Sequence, residues 1–197
     1  MGKTFERIDD KLGTWLLEQP MFVVATAPSD GGHVNASPKG MSGCFVVLDE
    51  HRVAYLDYVG SGAETIAHLR DNGRITLMFN AFSGPPRIVR LQGTGEVVLP
   101  DQSAFADLRT RFGKERELGQ RSIIVVTCDR IADSCGYSVP LMDFVADRDI
   151  LDLHAQKRDE DYFQTYVAER NAASIDGLPA VPTPVAVPGR PGQRGSA

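Results

Sequence analysis

The sequence contains 197 residues, 42% of them hydrophobic and 24% charged, which is typical of a globular domain that buries a core of its own. Its net charge of −5 at pH 7 argues against a nucleic-acid-binding protein, because such a protein needs a basic face. There is no run of about 18 apolar residues, so we predict no membrane-spanning helix and no membrane partner.

The N-terminal part of the chain predicts one helix followed by short strands. Apolar residues on one side predict a helix that Thr4 caps, that extends to about Leu17 and that Pro20 ends. Apolar runs separated by turn residues then predict four strands, MFVVATA, HVNAS, CFVVL and RVAYLDY, of which the last two form a hairpin.

The middle of the chain predicts a single helix between strands. This helix covers about residues 62–72, and Gly73 is a suitable C-terminal cap for it. The strands RITLMFNAF and RIVRLQGTGEVVL follow. In the second strand Gly93 and Gly95 fall on the side of Val89, where a bend or a close backbone approach would explain the missing side chains.

The C-terminal part predicts two more helices, a long strand and a tail. Pro100 opens a helix, and SIIVVTCDRIADSC predicts one long strand or two strands joined by a bulge. A last helix covers about residues 149–170. From Gly177 onward the sequence is rich in Pro, Gly and small residues, so we expect a tail without its own core, which a partner subunit could support.

Together these elements predict a mainly β fold (α+β), a small antiparallel barrel with inserted helices. A doubly wound parallel sheet does not suit the sequence, because it needs a helix after nearly every strand. The predicted organisation is an N-terminal helix in residues 1–19, a barrel domain in 20–148, a C-terminal helix in 149–176 and a tail in 177–197.

Cysteine and histidine spacing predicts neither a disulfide framework nor a metal site. The three cysteines, Cys44, Cys128 and Cys135, form no C-x-x-C pair, which suits a reducing cytoplasm. The four histidines lie far apart without the spacing of metal ligands. We therefore expect a cytoplasmic protein without a metal.

The junction between RVAYLDY and the following helix allows a purely structural interpretation. Ser61 and Glu64 match the S-x-x-E capping box, in which the serine side chain accepts from the third helical N–H and the glutamate reaches back to the serine N–H. This interpretation needs no ligand.

The same junction also allows an anion site. The positive end of a helix attracts phosphate, and Gly60 and Gly62 would let a phosphate approach the backbone. Glu64 would repel the phosphate unless its side chain pointed away. Cations from elsewhere would then have to supply the charge, and the candidates are Lys39, Arg87 and Arg90.

Three segments in order, MFVVATAPSDGGHVNASPKG, RVAYLDYVGSGAETIAHLRDNGRITLMF and PPRIVRLQGTGEVV, resemble the pyridoxamine 5'-phosphate oxidase-like family. The resemblance covers roughly residues 20 to 135 and extends into SCGYSVPLMDF, a feature of a bacterial subgroup. It implies a six- to seven-stranded FMN-binding split barrel, and a homodimer with the cofactor at its interface. It also raises the anion site above the capping interpretation, although both can hold together.

The resemblance also implies site residues, with several departures from the family pattern. Val34 stands where the family has Arg, and Ile88 stands where it has Gln. After Ser61 the family has two basic residues, which are absent here. By pattern alone Asn35 and Ser37 either meet the cofactor or form a solvated strand face. The predicted cofactor-binding set is Asn35, Ser37, Lys39, Tyr55, Ser61, Gly62, Arg87 and Arg90.

We therefore predict an FMN-binding oxidoreductase of unknown substrate and with no identifiable catalytic acid or nucleophile. The chain lacks the closing Arg-Leu-x-Pro of the vitamin B6 oxidases, so we do not expect it to be that enzyme. One alternative keeps the fold with a deazaflavin of the F-420 type, whose acidic tail would contact Arg87, Arg90 and Arg121. Another is a flavin- or haem-binding protein without turnover.

Overall fold

An eight-stranded antiparallel sheet organises the chain in the computed structural model, which describes residues 2–182. The strands follow the order β3-β2-β6-β7-β8-β5-β4, and the short β1 pairs with β8. Their bounds are β1 Thr4–Phe5, β2 Met21–Thr26, β3 Asn35–Gly40, β4 Phe45–Val47, β5 Arg52–Tyr58, β6 Arg74–Asn80, β7 Ile88–Val98 and β8 Gln120–Ser134.

Five helices connect or flank these strands within residues 2–182. Their bounds are α1 Asp10–Glu18, α2 Glu64–Asn72, α3 Ser103–Arg109, α4 Ile150–Gln156 and α5 Glu160–Arg170. Helix α2 is inserted between β5 and β6, and it packs on β2, β6 and β7. Across the described residues, no helix has the length and apolarity that crossing a bilayer requires.

The sheet curls into a half-barrel, so that side chains from strands near its two ends touch across the interior. In the sheet order four strands separate β2 from β4, yet the ring of Phe22 on β2 lies 5.3 Å from the ring of Phe45 on β4. Phe79 on β6 stacks on Phe22 at 5.1 Å. The predicted antiparallel split barrel with inserted helices is therefore confirmed, with one strand more than predicted because β1 contains only two residues.

Strand β5 is buried on both faces and separates two apolar clusters. Val53 and Tyr55 belong to the larger cluster, which fills the barrel and includes the apolar sides of α1 and α2. Ala54 and Leu56 belong to the smaller cluster, which lies on the opposite face. Burial of each large apolar side chain stabilises the fold by about 1.5–3 kcal/mol. Strand β5 is therefore firmly held, and so are the side chains at its end.

Two helix predictions were wrong at their boundaries. Helix α1 begins at Asp10 and not after Thr4, because Asp9 accepts a hydrogen bond from the Leu12 N–H at 2.8 Å while Thr4 pairs with β8. The predicted last helix is two helices, α4 and α5, because Asp159 leaves the helical conformation and caps the second one. The segment SIIVVTCDRIADSC, which predicted one long strand or two joined by a bulge, lies in one strand, Gln120–Ser134, whose register with β7 shifts between Gln92 and Gly93.

The structure confirms the predicted helix end at Gly73 and explains the glycine at position 93. Gly73 ends α2 in the left-handed conformation, with φ of 73°. The register shifts between Gln92 and Gly93, where a side chain at position 93 would collide with the carbonyl oxygen of Thr127. A close backbone approach therefore explains this glycine.

The predicted C-terminal tail is described only in part. Ala180 and Val181 are buried in the larger cluster, and the N–H of Val181 donates to the carbonyl of Asn171 at 3.0 Å. The remainder of the tail, residues 183–197, lies outside the described residues. Residues 177–182 thus pack against the barrel.

Candidate functional site

Strand β3 presents a row of three polar side chains, Asn35, Ser37 and Lys39, which we call the polar row. Along β3 these residues are partly buried, whereas Ala36 and Pro38 between them are exposed. The strand lies at one end of the sheet order and pairs with β2. Alternation along this strand therefore directs all three side chains inward, toward α2 and β5.

A hydrogen-bond network joins the beginning of the polar row to α2. The Asn35 side-chain amide donates to the hydroxyls of Thr26 and Thr65, each at 3.1 Å, and its oxygen accepts from Ser37 at 2.7 Å. The Thr26 hydroxyl also lies 2.9 Å from Nδ1 of His68. The His68 ring is fully buried, and its Nε2 has no hydrogen-bond partner among the described residues.

Tyr55 of β5 lies beside the other end of the row. The Nζ of Lys39 is 5.8 Å from the centre of the Tyr55 ring. The hydroxyl lies near Thr65 but makes no hydrogen bond of ordinary geometry within residues 2–182. Burial, together with the negative charge of Asp57, raises the pKa of Tyr55 well above its ordinary value of 10, so the hydroxyl keeps its proton. Tyr55 and His68 are thus two buried polar groups with an unused hydrogen-bonding atom.

Asp57 is the charged centre of the site. One carboxylate oxygen accepts from Arg121 Nε at 2.8 Å and from the Ser122 hydroxyl at 3.2 Å, and the other accepts from Lys39 Nζ at 3.1 Å. Burial alone would raise the pKa of Asp57, but the charges of Arg121 and Lys39 outweigh burial and hold that pKa well below 3.8. Asp57 is therefore ionised at neutral pH.

The predicted capping box at the start of α2 is wrong. The N-terminal cap is Ala63, which has no side-chain cap bond, and Ser61 is exposed. Oε1 of Glu64 accepts from the backbone N–H of Ile175 at 3.2 Å. A contact with a distant segment has replaced the local one, because the glutamate side chain finds an N–H donor across the turn.

That distant segment covers the turn before α2. We call residues 171–176 the strap. The amide of Asn171 donates to the Gly60 carbonyl at 3.0 Å, and its oxygen accepts from Arg121 at 2.8 Å. Arg121 also donates to the Gly62 carbonyl at 2.8 Å. The carbonyls of the two predicted glycines therefore bind the protein's own donors.

Arg87 and Arg90 lie apart from this group. Arg87 pairs with Asp133 at 3.3 Å, and its guanidinium lies 4.8 Å from the centre of the Trp15 ring. Arg90 donates to the Ser134 hydroxyl at 2.9 Å. Within residues 2–182, no ion pair joins either arginine to the polar row or to the turn. The structure thus brings together Asn35, Ser37, Lys39, Tyr55 and Gly62, leaves Ser61 exposed at the turn, and separates Arg87 and Arg90.

Several residues of the site were missed from sequence. Asp57 had a recognisable signal, because it is an acid within an otherwise apolar strand. Arg121 is predicted only as a contact of a deazaflavin tail, so what the sequence missed is its ion pair with Asp57, although its place at the start of a long apolar run is a similar signal. Asn171 had no such signal, since it directly follows α5 and lies 111 positions from its partner Gly60.

A cleft of about 990 Å³ opens beside Lys39. One wall is formed by the end of β3 and by Val59 and Gly60, and the other by residues 142–151 and the aromatic rings of α5. Most of its lining is apolar, with Lys39 as a charged group on the β3 side. Such a cleft accommodates a planar organic ring with a few polar atoms at its edge. Among the described residues there is no group of three or more His, Cys, Asp or Glu that could hold a metal ion.

Comparisons with known proteins agree with this architecture. A family model described as pyridoxamine 5'-phosphate oxidase matches residues 8–135. The pyridoxamine 5'-phosphate oxidase family protein ustO of Aspergillus flavus is 38% identical over 191 residues, covering 90% of this chain and 77% of that protein. This relative does not test the expected bacterial subgroup, which stays a prediction.

Solved structures give weaker similarities. A HupZ variant from Group A Streptococcus matches with a TM-score of 0.49 and 20% identity, over 64% of this chain and 99% of that chain. A FAD-binding protein from Mesorhizobium loti matches with a TM-score of 0.47 and 14% identity, over 68% of this chain and 96% of that chain.

Proposed function

The chain belongs to the pyridoxamine 5'-phosphate oxidase family, and from that premise we propose that it is a flavin-dependent oxidoreductase. The cofactor is FMN or a closely related flavin, held against the polar row. The observation that carries this proposal is the inward-facing row of Asn35, Ser37 and Lys39 on β3, whose last member, Lys39, lines the cleft. A bound flavin would supply the electron transfer, and the protein would supply binding, orientation and exclusion of water.

The polar row suits the edge of a flavin ring. Such an edge alternates carbonyl oxygens and ring nitrogens, which pair with amides and hydroxyls. The donors of Asn35 and Ser37 are used within the network, so these residues offer a ligand their oxygens as acceptors, which suit a ring N–H. Their mutual hydrogen bond at 2.7 Å fixes their orientation. The bonds from Asn35 to Thr26 and Thr65 hold the pair in place from behind. These residues would therefore meet a ligand without large rearrangement.

Lys39 is the cation of the site that reaches the cleft. Its side chain is 25% exposed, whereas that of Arg121 is 5% exposed. The Asp57 carboxylate holds both cations from the side of β5. Lys39 would thus present a fixed positive charge to the edge of a reduced, negatively charged ring. The residues at the Gly60–Glu64 turn do not offer the same fit to the phosphate of FMN.

We propose a second copy of the chain as the partner, in a homodimer. Residues 137–150, which we call the apolar arm, expose several large apolar side chains. These are Tyr137, Leu141, Met142, Phe144, Val145 and Ile150. Large apolar side chains exposed together on one short segment favour an interface with another protein surface. Part of the arm, residues 142–150, also lines the cleft, so a second copy would help enclose the ligand.

The three cysteines are free, which supports the cytoplasmic location that we propose.

The visible spectrum of the freshly purified full chain tests the cofactor. We expect flavin bands, or their appearance when FMN or riboflavin is added. Anaerobic reduction by NADH or NADPH, with turnover of an added acceptor, would then distinguish an enzyme from a carrier. A deazaflavin band or a haem Soret band would replace the proposed cofactor, and a colourless protein that binds none of these ligands would contradict the proposal.

Substitutions in the polar row test the position of the ring. We expect Lys39→Ala and Asn35→Ala each to weaken flavin binding by about tenfold or more, which corresponds to about 1.4 kcal/mol. The measurement is a fluorescence titration of the purified variants with riboflavin. Lys11→Ala is the matched control, because Lys11 is exposed on α1, and its affinity should equal that of the unmodified chain. An unchanged affinity in both row variants would remove the row from the site.

A further inference from the structure

The turn from Gly60 to Glu64 is filled by the protein's own charged and polar groups. The Glu64 carboxylate lies directly against the backbone of Gly62, so that a side chain at position 62 would collide with it. The same carboxylate accepts from the Ile175 N–H of the strap. The space in which a phosphate would approach the two glycines therefore already holds an anionic group.

The charges around the turn balance. Lys39 and Arg121 carry two positive charges, and Asp57 and Glu64 carry two negative charges. Arg121 is also bound to the Gly62 carbonyl and to Asn171. A phosphate monoester brings about −1.5 to −2 charges at neutral pH. Beside Glu64 this additional negative charge would find no excess positive charge among the four charged groups that residues 2–182 bring to the turn and to Asp57.

The other predicted cations do not change this balance. Arg87 is paired with Asp133, and Arg90 is bound to Ser134, both at the far end of β8 from Arg121. Ser61 is exposed and is not the cap of α2, so its hydroxyl does not supply the cap of this helix.

We infer that this turn excludes phosphate, and that Glu64 sets the preference of the site among flavins. This inference rests on the proposed function and specifies its ligand. The flavin is held by its ring against the polar row, and the phosphate of FMN contributes no affinity at the turn. Riboflavin and FMN therefore bind about equally well. Glu64 determines specificity by occupying the place and the charge that a phosphate would need.

The test is the ratio of two dissociation constants, measured on the full chain by flavin fluorescence. For the unmodified protein we expect the constants for riboflavin and FMN to agree within about threefold. In Glu64→Gln the side chain keeps an oxygen that can accept from Ile175 but loses its charge. We expect FMN to bind about tenfold more tightly to this variant, with riboflavin unchanged. Glu96→Gln is the control, because Glu96 is an exposed acid on β7, and it should leave both constants unchanged.

The outcomes separate this inference from the proposed function. A hundredfold preference of the unmodified chain for FMN over riboflavin would overturn the inference and leave the flavin site standing. An unchanged FMN affinity in Glu64→Gln would also overturn it. Failure of both flavins to bind the unmodified chain would overturn the proposed function together with the inference.

Discussion

At the scale of single residues, Asp57 is the main organiser of the site. Its carboxylate is buried, and it joins a cation of β3 to a cation of β8 that lies 64 positions away. A buried charge is stable only when it is paired and hydrogen-bonded. Both requirements are met here, so Asp57 fixes the positions of Lys39 and Arg121.

Removing this carboxylate should destabilise the protein strongly. We expect Asp57→Ala to lower the free energy of unfolding by about 3–5 kcal/mol, because it leaves the buried Arg121 without its counter-ion. Urea unfolding followed by circular dichroism measures this loss. In the control, Glu50→Ala, an exposed pair with Arg7 is removed, and the expected loss is about 0–1 kcal/mol.

The effect of Asp57 should also depend on pH. Because the folded-state pKa of Asp57 lies below the ordinary 3.8, its stabilising contribution is complete above that value. It is lost as the pH falls through the folded-state pKa. The difference in unfolding free energy between the unmodified chain and Asp57→Ala should therefore be constant from neutral pH to about pH 5 and shrink in stronger acid. A difference that grew in acid would contradict the ion-pair assignment.

At the scale of elements, two glycines of β7 lie so close to neighbouring elements that a side chain would collide with them. A side chain at Gly93 would meet the Thr127 carbonyl, and one at Gly95 would come within 2.7 Å of Leu69 on α2. In contrast, a side chain at Gly13 on α1 would make ordinary contacts of 3.7 Å with Ile8. Lack of space therefore favours glycine at positions 93 and 95, whereas position 13 has room for a side chain.

The same substitution should then have opposite effects at two positions. We expect Gly93→Ala to lower the free energy of unfolding by about 1–3 kcal/mol, because the methyl group forces the two backbones apart. We expect Gly13→Ala to raise it by about 0.5–1 kcal/mol, because alanine restricts the unfolded chain and favours the helix. Thermal and urea unfolding of both variants provides the measurement. A stable Gly93→Ala protein would contradict the close approach of β7 to β8.

At the scale of the whole molecule, the half-barrel leaves the apolar arm on its surface. Val145 is 94% exposed, and its apolar neighbours Phe144 and Met142 are exposed as well. Three hydrogen bonds join the arm to neighbouring segments: the Met142 N–H donates to the Phe82 carbonyl, and the N–H and the hydroxyl of Ser42 both donate to the Asp147 carboxylate. These bonds hold the arm in a fixed position, as an interface segment requires.

Disrupting the arm should change the oligomeric state without unfolding the chain. We expect the unmodified protein to be a dimer by light scattering at micromolar concentration. Val145→Asp should shift it toward the monomer, because a charge at the centre of an apolar interface loses its hydration. Leu17→Asp, a change at another exposed apolar residue, serves as the control and should remain dimeric. A monomeric unmodified protein would count against the shared site.

The sequence by itself determined the order of the main strands and helices, the antiparallel class, the alternation that places Asn35 and Ser37 on one side of β3, and the end of α2 at Gly73. These features follow from alternation, helical spacing and backbone freedom, which act over a few neighbouring residues. The tertiary structure alone decided the partners of Asp57, the turn of Glu64 toward Ile175 and the separation of Arg87 and Arg90 from the site. Each of these depends on residues far apart in the chain, whose meeting is fixed by the curl of the sheet and by the packing of the strap.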